Sequence, residues 1–334
     1  MTSVGSPIVW AVFALIVVGA LAIDLGLFHR KAHVVKMREA AMWTAIWAAL
    51  ALSFNGWIYY RFGGVKAAEF LQGWLLEYAL SVDNIFVFLV VFRYFRVPAD
   101  QLHRVLFWGI LGAVISRGIF IGLGAVLIQR FHWVMYILGA FLVYTSIKIL
   151  FDKEGDVDPE RNPALRIFRR FVPTTTEYHG QKFLVRLNGR MTATPLLVVL
   201  VVVEMTDVMF AVDSIPAIFG VTTDVFIVFS SNIFAILGLL SLFFLIEGLV
   251  AKLRYLKAGV ALILAFIGVK ILIESIYKIP VAVSLSVLAG ILATATIMSL
   301  IFPPPAAEHV PDVEKVVPPP DPGGRGSSPP IAGP

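Results

Sequence analysis

The sequence predicts an all-α, polytopic membrane protein with about nine transmembrane helices. Of its 334 residues 59% are hydrophobic and 15% are charged, whereas about 25% of the residues in a soluble domain are charged. Apolar stretches of roughly 20 residues, the helical length that crosses a hydrocarbon core about 30 Å thick, recur along the chain. The sequence contains no cysteine, which excludes disulfides, thiolate metal sites and thiol catalysis in this chain.

Nine segments meet the length requirement: residues 8–28, 40–60, 69–92, 105–129, 132–151, 194–217, 226–250, 258–277 and 281–302. The first segment has neither a basic region before it nor a small-residue cleavage site after it. We therefore interpret it as a retained span rather than a signal peptide.

The distribution of lysine and arginine predicts the orientation of the chain in the membrane. With the N-terminus outside, the inward-facing segments hold twenty of the 27 Lys and Arg residues and the outward loops hold four. This asymmetry predicts an external N-terminus and a cytoplasmic C-terminus. The net charge of +5 is then mostly a topology signal, and we expect no nucleic-acid partner.

Two regions lie outside the predicted spans. Residues 152–193 contain the basic segment RNPALRIFRRFVP, which is either a helix resting on anionic headgroups or only a product of the positive-inside bias. Residues 303–334 are rich in proline and glycine, and we expect this tail to be disordered.

Two acidic segments repeat. EYALSVDNI (77–85) and DVMFAVDSI (207–215) share an acid at the first place and Val-Asp-(Asn/Ser)-Ile at the end. Further similarities follow in the same order, ILG with ILG and IKIL with VKIL, so each copy covers three spans. Because three is odd, the second copy enters the membrane from the opposite side, as in the inverted repeats of many transporters.

The predicted organisation is accordingly two N-terminal spans (1–68), a first inverted repeat (69–151), a basic cytoplasmic loop (152–193), a second inverted repeat (194–277), a ninth span (278–302) and a proline-rich tail (303–334).

The repeats place polar side chains at membrane depth, where a charge costs roughly 2.5–3.5 kcal/mol. Glu204 and Asp207 are spaced i, i+3 and share a helix face. Asp213 faces elsewhere unless the helix bends, and Pro216 favours a bend because it frees the carbonyl of Val212. The candidate metal ligands are Glu77, Asp83, Asn84, Glu204, Asp207 and Asp213.

Weaker candidates have ordinary structural alternatives. Ser214 and the Val212 carbonyl add oxygens beside Asp213. Asp24 either contributes to function or caps a helix and faces water. Asn232 either lines a pathway or bonds to a neighbouring helix. Arg117 either neutralises one member of the acid cluster or is independent of it.

The donor set indicates a hard divalent cation. Carboxylate and amide oxygens suit Mg²⁺, Ca²⁺ and Mn²⁺ better than Zn²⁺ or Cu⁺. They do not determine whether the site prefers Mn²⁺ or Ca²⁺. Repulsion among the acids would make protons compete with metal, which is the basis for a proton-coupled antiport. We expect no permanently bound cofactor, and the coupling ion, the stoichiometry and the oligomeric state are left open.

Enzymatic activity is not expected. An intramembrane aspartyl hydrolase uses the paired motifs Tyr-Asp and Gly-x-Gly-Asp. In this sequence Asp83 and Asp213 each follow a valine instead.

Two long segments, EYALSVDNIFVFLVVFRYFRVP and EMTDVMFAVDSIPAIFGVTTDVFIVFSSNIFAILGL, resemble the signature segments of the TerC family of integral membrane proteins, which includes the Alx-type proteins. DLGLFHR (24–30) is similar to the end of that family's first span, and the likeness extends from about residue 8 to 302. The family's acidic motif falls on Glu77, Asp83, Glu204, Asp207 and Asp213.

The resemblance implies a bacterial inner-membrane protein of the LysE-like cation-exporter group. Members are linked to Mn²⁺ efflux, to Mn²⁺ supply for exported enzymes and, through the family name, to tellurite resistance. Since tellurite is an anion, carboxylates would not bind it, and we expect any effect on tellurite to be indirect.

We therefore expect a divalent-cation exporter, with Mn²⁺ as the leading substrate, that rocks one repeat against the other within the lipid bilayer. The alternative is a non-transporting membrane scaffold in a tellurite-resistance, stress-resistance or secretion-linked complex. Its docking surfaces would be the 152–193 loop and the tail.

Overall fold

The computed structural model describes residues 4–28, 37–131, 133–151, 165, 168, 172–187, 189–247 and 255–302; the side chains of 22–28, 83, 99–100 and 300 lie outside the description. The described residues form ten α-helices and one β-hairpin. The helices are α1 (Pro7–Phe28), α2 (Met37–Phe62), α3 (Gly64–Tyr94), α4 (Ala99–Arg130), α5 (Val134–Phe151), α6 (Pro195–Phe219), α7 (Val225–Leu237), α8 (Leu239–Glu247), α9 (Leu256–Leu272) and α10 (Val281–Ile301). The hairpin strands are β1 (Leu184–Leu187) and β2 (Arg190–Ala193).

The chain is a multi-pass, all-α membrane protein. In the described residues six helices, α2 to α6 and α10, are long and apolar enough to cross a bilayer, and the bent pair α7–α8 is a seventh candidate. The predicted first and eighth spans coincide with α1, whose described side chains over Pro7–Leu21 form an apolar stretch, and with α9, which has 17 residues. The count of nine spans stays a prediction.

The sequence accounts for where the helices of the second half begin and bend. Pro195 occupies the first turn of α6, where a missing N–H costs nothing. The carboxylate of Asp224 caps α7 by accepting a hydrogen bond from the Phe226 N–H at 3.1 Å. At Gly238 the chain turns by 45° between α7 and α8.

The bend expected before Pro216 does not interrupt α6. The helix continues through Pro216 and ends at Phe219, three residues later. A proline this close to a helix end removes a single backbone bond near the terminus, and the last turn tolerates that loss. The break in the apolar spans of this half lies one span further on, at Gly238.

Contacts between the two halves follow a crossed pattern. α3 packs against α7, α4 packs against α6, and α5 packs along α9. At the α5–α9 crossing Gly139 and Gly268 face each other, and a Cβ added to Gly268 would lie 2.8 Å from the Gly139 carbonyl oxygen. The absence of side chains lets these backbones approach closely, as is common between membrane helices.

Aromatic side chains fill much of the larger apolar core, which α1, α2, α3 and α7 share. The rings of Phe54 and Phe234 stack with centroids 4.7 Å apart, and Phe13 packs on both. Large apolar side chains such as Leu123, 63% exposed, cover the outer surface of the helices. In a bilayer this surface faces lipid.

The segment that leads into the hairpin packs on the turn after α3 and on the start of α4. The Tyr178 hydroxyl donates to the Phe95 carbonyl at 2.7 Å, and burial raises the pKa of Tyr178 to about 12. Arg104 of α4 lies over the Phe183 ring, 5.1 Å from its centroid. The basic segment of the 152–193 loop lies almost wholly outside the described residues, as does the 303–334 tail.

Candidate ion-binding site

A buried arginine joins its own helix to three others. Arg117 of α4 is 1% exposed. Its Nη1 contacts the Glu77 carboxylate of α3 and donates to Asn232 Oδ1 of α7 at 2.8 Å. Its Nη2 lies 3.2 Å from Asp207 Oδ1 of α6. We call these four residues the Arg117 centre.

The Arg117 centre carries two carboxylates and one guanidinium, so its formal charge is −1. Glu77 and Asp207 are 1% and 3% exposed, so water does not offset the remaining negative charge. Removing one partner from a buried ion pair costs about 3–5 kcal/mol because the other charge stays buried. The guanidinium therefore offsets one of the two buried negative charges in this conformation.

Several polar atoms of the Arg117 centre have no hydrogen-bond partner among the described residues. They are Glu77 Oε2, Asp207 Oδ2, Asn232 Nδ2 and Arg117 Nε. Since buried polar groups are normally paired, these atoms mark a network that is only partly satisfied. Each carboxylate thus keeps one oxygen that is available to a ligand.

Glu204 faces the same neighbouring helix as Asp207, as their spacing predicts. Its carboxylate lies against Gly112 of α4, and a side chain at Gly112 would collide with it. Asp207 contacts α4 through Arg117, nearly one and a half turns further along that helix. Among the described residues Glu204 makes no ion pair.

Asp213 faces a different helix. Six residues after Asp207 on an uninterrupted helix, it lies roughly 9 Å further along the axis and about 240° around it. Its Oδ1 accepts a long hydrogen bond, 3.5 Å, from Thr145 of α5. The structure therefore separates Asp213 from the Arg117 centre.

Of the remaining predicted ligands, two have side chains outside the description and two are buried. Asp83 and Asp24 lie on α3 and α1, and their side chains are outside the description. Asn84 is 4% exposed and sits seven residues after Glu77, hence on the same face of α3, about 10 Å away along the axis. Ser214 is buried with no partner for its hydroxyl among the described residues.

Val212 lies in an apolar setting. Its side chain is 47% exposed and lines a groove of about 530 Å³ between α4, α5 and α6, together with Leu127 and Ile215. With α6 continuous at this point, a role for the Val212 carbonyl as a ligand stays a prediction.

The described acids do not form one five-carboxylate cage. Among the described side chains, which exclude Asp83, no three acids or histidines are close enough together to hold a metal ion. Arg117 pairs with two acids rather than with the one expected, and Asn232 bonds to a neighbouring helix, as its structural alternative predicts. The spacing of the acids could not reveal either contact.

A second charged cluster lies at the start of α3 and was not predicted. Lys66 Nζ lies 2.8 Å from Glu69 Oε2 and 3.4 Å from Asp224 Oδ2. Thr222 donates to Glu69 Oε2 at 2.7 Å, and the Val4 N–H donates to Asp224 Oδ2 at 3.1 Å. These contacts join α3 to the loop before α7 and to the N-terminal segment.

Together, the apolar helices and the Arg117 centre define a multi-pass integral membrane protein with a charged centre buried among its helices. The family model described as "Integral membrane protein TerC family" matches residues 62–305. The chain belongs to the TerC family, as the sequence motifs predict.

Curated relatives match over nearly the whole chain. A Myxococcus xanthus protein, "Uncharacterized membrane protein STKORF319", is 50% identical over 90% of this chain and 94% of its own. An Escherichia coli (strain K12) protein, "Putative membrane-bound redox modulator Alx", is 46% identical over 90% and 96%. A Rickettsia felis membrane protein is 39% identical over 87% and 97%. The comparison with solved structures found no match.

Proposed function

We propose that this protein exports a hard divalent cation, with Mn²⁺ as the leading substrate, across the bacterial inner membrane. The single observation that carries the proposal is that Glu77 of one repeat and Asp207 of the other converge, fully buried, on one point. Each retains one oxygen without a partner among the described residues. Oxygen donors of this kind are those that Mn²⁺, Mg²⁺ and Ca²⁺ prefer.

The crossed packing of the halves supports a rocking mechanism. In the predicted repeats the first helix of each copy contacts the second helix of the other, and the third helices contact each other. A twofold-related pair of inverted units makes this set of contacts, and transporters built from such units alternate access around a central site. Glu204 and Asn84 would approach the ion along the faces of α6 and α3 that lead to the Arg117 centre.

Competition with protons would couple export to the proton gradient. Binding a dication requires ionised carboxylates, so metal binding at buried acids releases protons and weakens as pH falls. The proposed orientation has the N-terminus outside and the C-terminus in the cytoplasm, as the distribution of lysine and arginine predicts.

Transport by the purified chain tests the proposal. We expect liposomes that contain only this protein to take up Mn²⁺, and we expect Glu77→Gln and Asp207→Asn to abolish uptake, because each removes a charge that the ion needs. Glu274→Gln is the matched control, since Glu274 is exposed beyond the end of α9. The measurement is Mn²⁺ influx followed with a trapped fluorescent indicator.

An uptake rate in both acid variants equal to that of the control would show that the ion does not pass Glu77 and Asp207. Thermal unfolding of each variant, compared with the unmodified protein, separates loss of transport from loss of fold.

The alternative, a membrane scaffold, is favoured by the hairpin surface. Leu184, Leu187 and Met191 are 45%, 37% and 57% exposed on a segment outside the spans, where a partner protein would cover them. The name of the Escherichia coli relative refers to redox modulation. Without cysteine this chain has no thiol chemistry of its own, so either role would affect redox state through metal or through partners. Absence of metal flux in liposomes would favour the scaffold.

A further inference from the structure

The position of Arg117 has a consequence for which ions the Arg117 centre accepts. Its guanidinium lies between the carboxylates of Glu77 and Asp207, the place that a bridging cation would take. Among the described residues no other basic side chain pairs with either acid. The arginine and an incoming ion therefore compete for the same two carboxylates.

Charge decides which ions win this competition. With the guanidinium in place, the two carboxylates retain a formal charge of −1. A monovalent ion that took its place would leave the same charge and gain nothing, whereas a dication would make the pair neutral. At a site where acids and arginine are almost fully buried, this difference counts for much more than in water.

The contacts of Arg117 also allow it to leave. Its Nε and one oxygen of each acid have no partner among the described residues, so the guanidinium is not locked by a complete network. Asn232 Oδ1, a neutral acceptor 2.8 Å from Nη1, would keep one hydrogen bond to the guanidinium after both carboxylates turn to an ion.

We propose that Arg117 is a tethered competitor of the transported cation, which excludes monovalent ions and speeds release of the dication. The inference rests on the proposed function and deepens it by assigning selectivity to a residue that is not itself a ligand. An internal competitor lowers the apparent affinity for Mn²⁺, because only the molecules in which it has left the two carboxylates can bind the ion. A lower affinity favours release on the far side of the membrane.

Equilibrium binding of Mn²⁺ to the purified protein tests this role. We expect Arg117→Gln to bind Mn²⁺ on the order of tenfold more tightly, because the competitor is gone. We also expect Na⁺ to displace Mn²⁺ from this variant and not from the unmodified protein. Isothermal titration with Mn²⁺, repeated at increasing NaCl with ionic strength held constant by choline chloride, measures both effects.

Two further variants make the test specific. Arg117→Lys keeps the charge but cannot bridge two carboxylates as a guanidinium does, so we expect a smaller gain in Mn²⁺ affinity and continued exclusion of Na⁺. Arg104→Gln removes a guanidinium from the same helix at a place where it contacts Phe183 and Gln181, and it should bind Mn²⁺ like the unmodified protein.

The outcomes separate the inference from the function on which it rests. Unchanged or weaker Mn²⁺ binding in a folded Arg117→Lys protein would overturn the inference, and this variant decides the matter if Arg117→Gln does not fold. The same result in Arg117→Gln would overturn it too. Absence of Mn²⁺ binding by the unmodified protein would instead overturn the proposed function, and the inference with it.

Discussion

Gly112 of α4 gives Glu204 the room that its carboxylate occupies. The i, i+3 spacing of Glu204 and Asp207 correctly indicates that both face one neighbour. It does not indicate that the neighbour is α4, or that the residue opposite Glu204 has no side chain. The need for a glycine here arises from the contact between α4 and α6 and has no local signature.

We expect Gly112→Ala to displace Glu204 without unfolding the protein, because the new Cβ meets the far end of a long side chain and no backbone atom. If Glu204 contributes to ion binding, the Kd for Mn²⁺ should rise roughly tenfold, which corresponds to about 1.4 kcal/mol. Titration with Mn²⁺ measures the change.

Gly122→Ala is the matched control on the same helix, since a Cβ there has no neighbour within 4 Å. Equal Mn²⁺ affinity in the two alanine variants would remove Glu204 from the set of ligands.

Arg117 shows why single residues were only partly predictable. Its burial in a span predicts that it pairs with an acid, since an unpaired charge at this depth is costly. The choice of Glu77 and Asp207 over the other acids depends on which helices surround α4. Thr145, the partner of Asp213, is one threonine among many apolar residues and gave no signal.

At the scale of the helices, α5 and α9 pack together through a pair of glycines. A Cβ at Gly268 would lie 2.8 Å from the Gly139 carbonyl oxygen and 3.0 Å from the Val143 nitrogen, and both atoms belong to backbone that cannot move aside. The two third helices of the predicted repeats are thus held at a distance that only glycine permits.

We expect Gly268→Ala to destabilise the protein by about 1–3 kcal/mol, the usual cost of overpacking a well-packed contact. The measurement is the Tm of the purified protein in detergent. Gly290→Ala on α10, where a Cβ has no neighbour within 4 Å, serves as control. Equal Tm values for the two variants would mean that α5 and α9 are not closely packed in the membrane.

The positions of the helices along the chain followed from the sequence, but the place where a span breaks did not. All nine predicted spans coincide with described helices or with the bent pair α7–α8, because apolar length is a local property. The backbone of α6 is not interrupted before Pro216, and the break between helices occurs at Gly238 instead. The effect of a proline depends on how near it lies to the helix end, which in turn depends on the following turn.

At the scale of the whole molecule, the hairpin and the α9–α10 turn mark opposite sides of the membrane in the proposed orientation. Three predicted spans separate Lys182, just before β1, from Lys278, just after α9. Both residues are exposed. The proposed orientation places Lys182 in the cytoplasm and Lys278 outside.

We expect an impermeant thiol reagent to label Lys278→Cys in intact spheroplasts and to label Lys182→Cys only after permeabilisation. The sequence contains no cysteine, so all labelling reports the introduced residue. The unmodified protein is the control for background, and the reverse pattern would invert the proposed topology.

The sequence by itself determined that this is an all-α, multi-pass membrane protein of the TerC family and which helix faces carry acids. Apolar length and helical spacing are properties of contiguous residues, so they can be read without knowing the fold. Only the tertiary structure decided that Arg117 lies between Glu77 and Asp207, and that Asp213 turns to Thr145 of α5. These contacts join residues 40 to 90 positions apart, and they arise from helix packing, which local spacing does not encode.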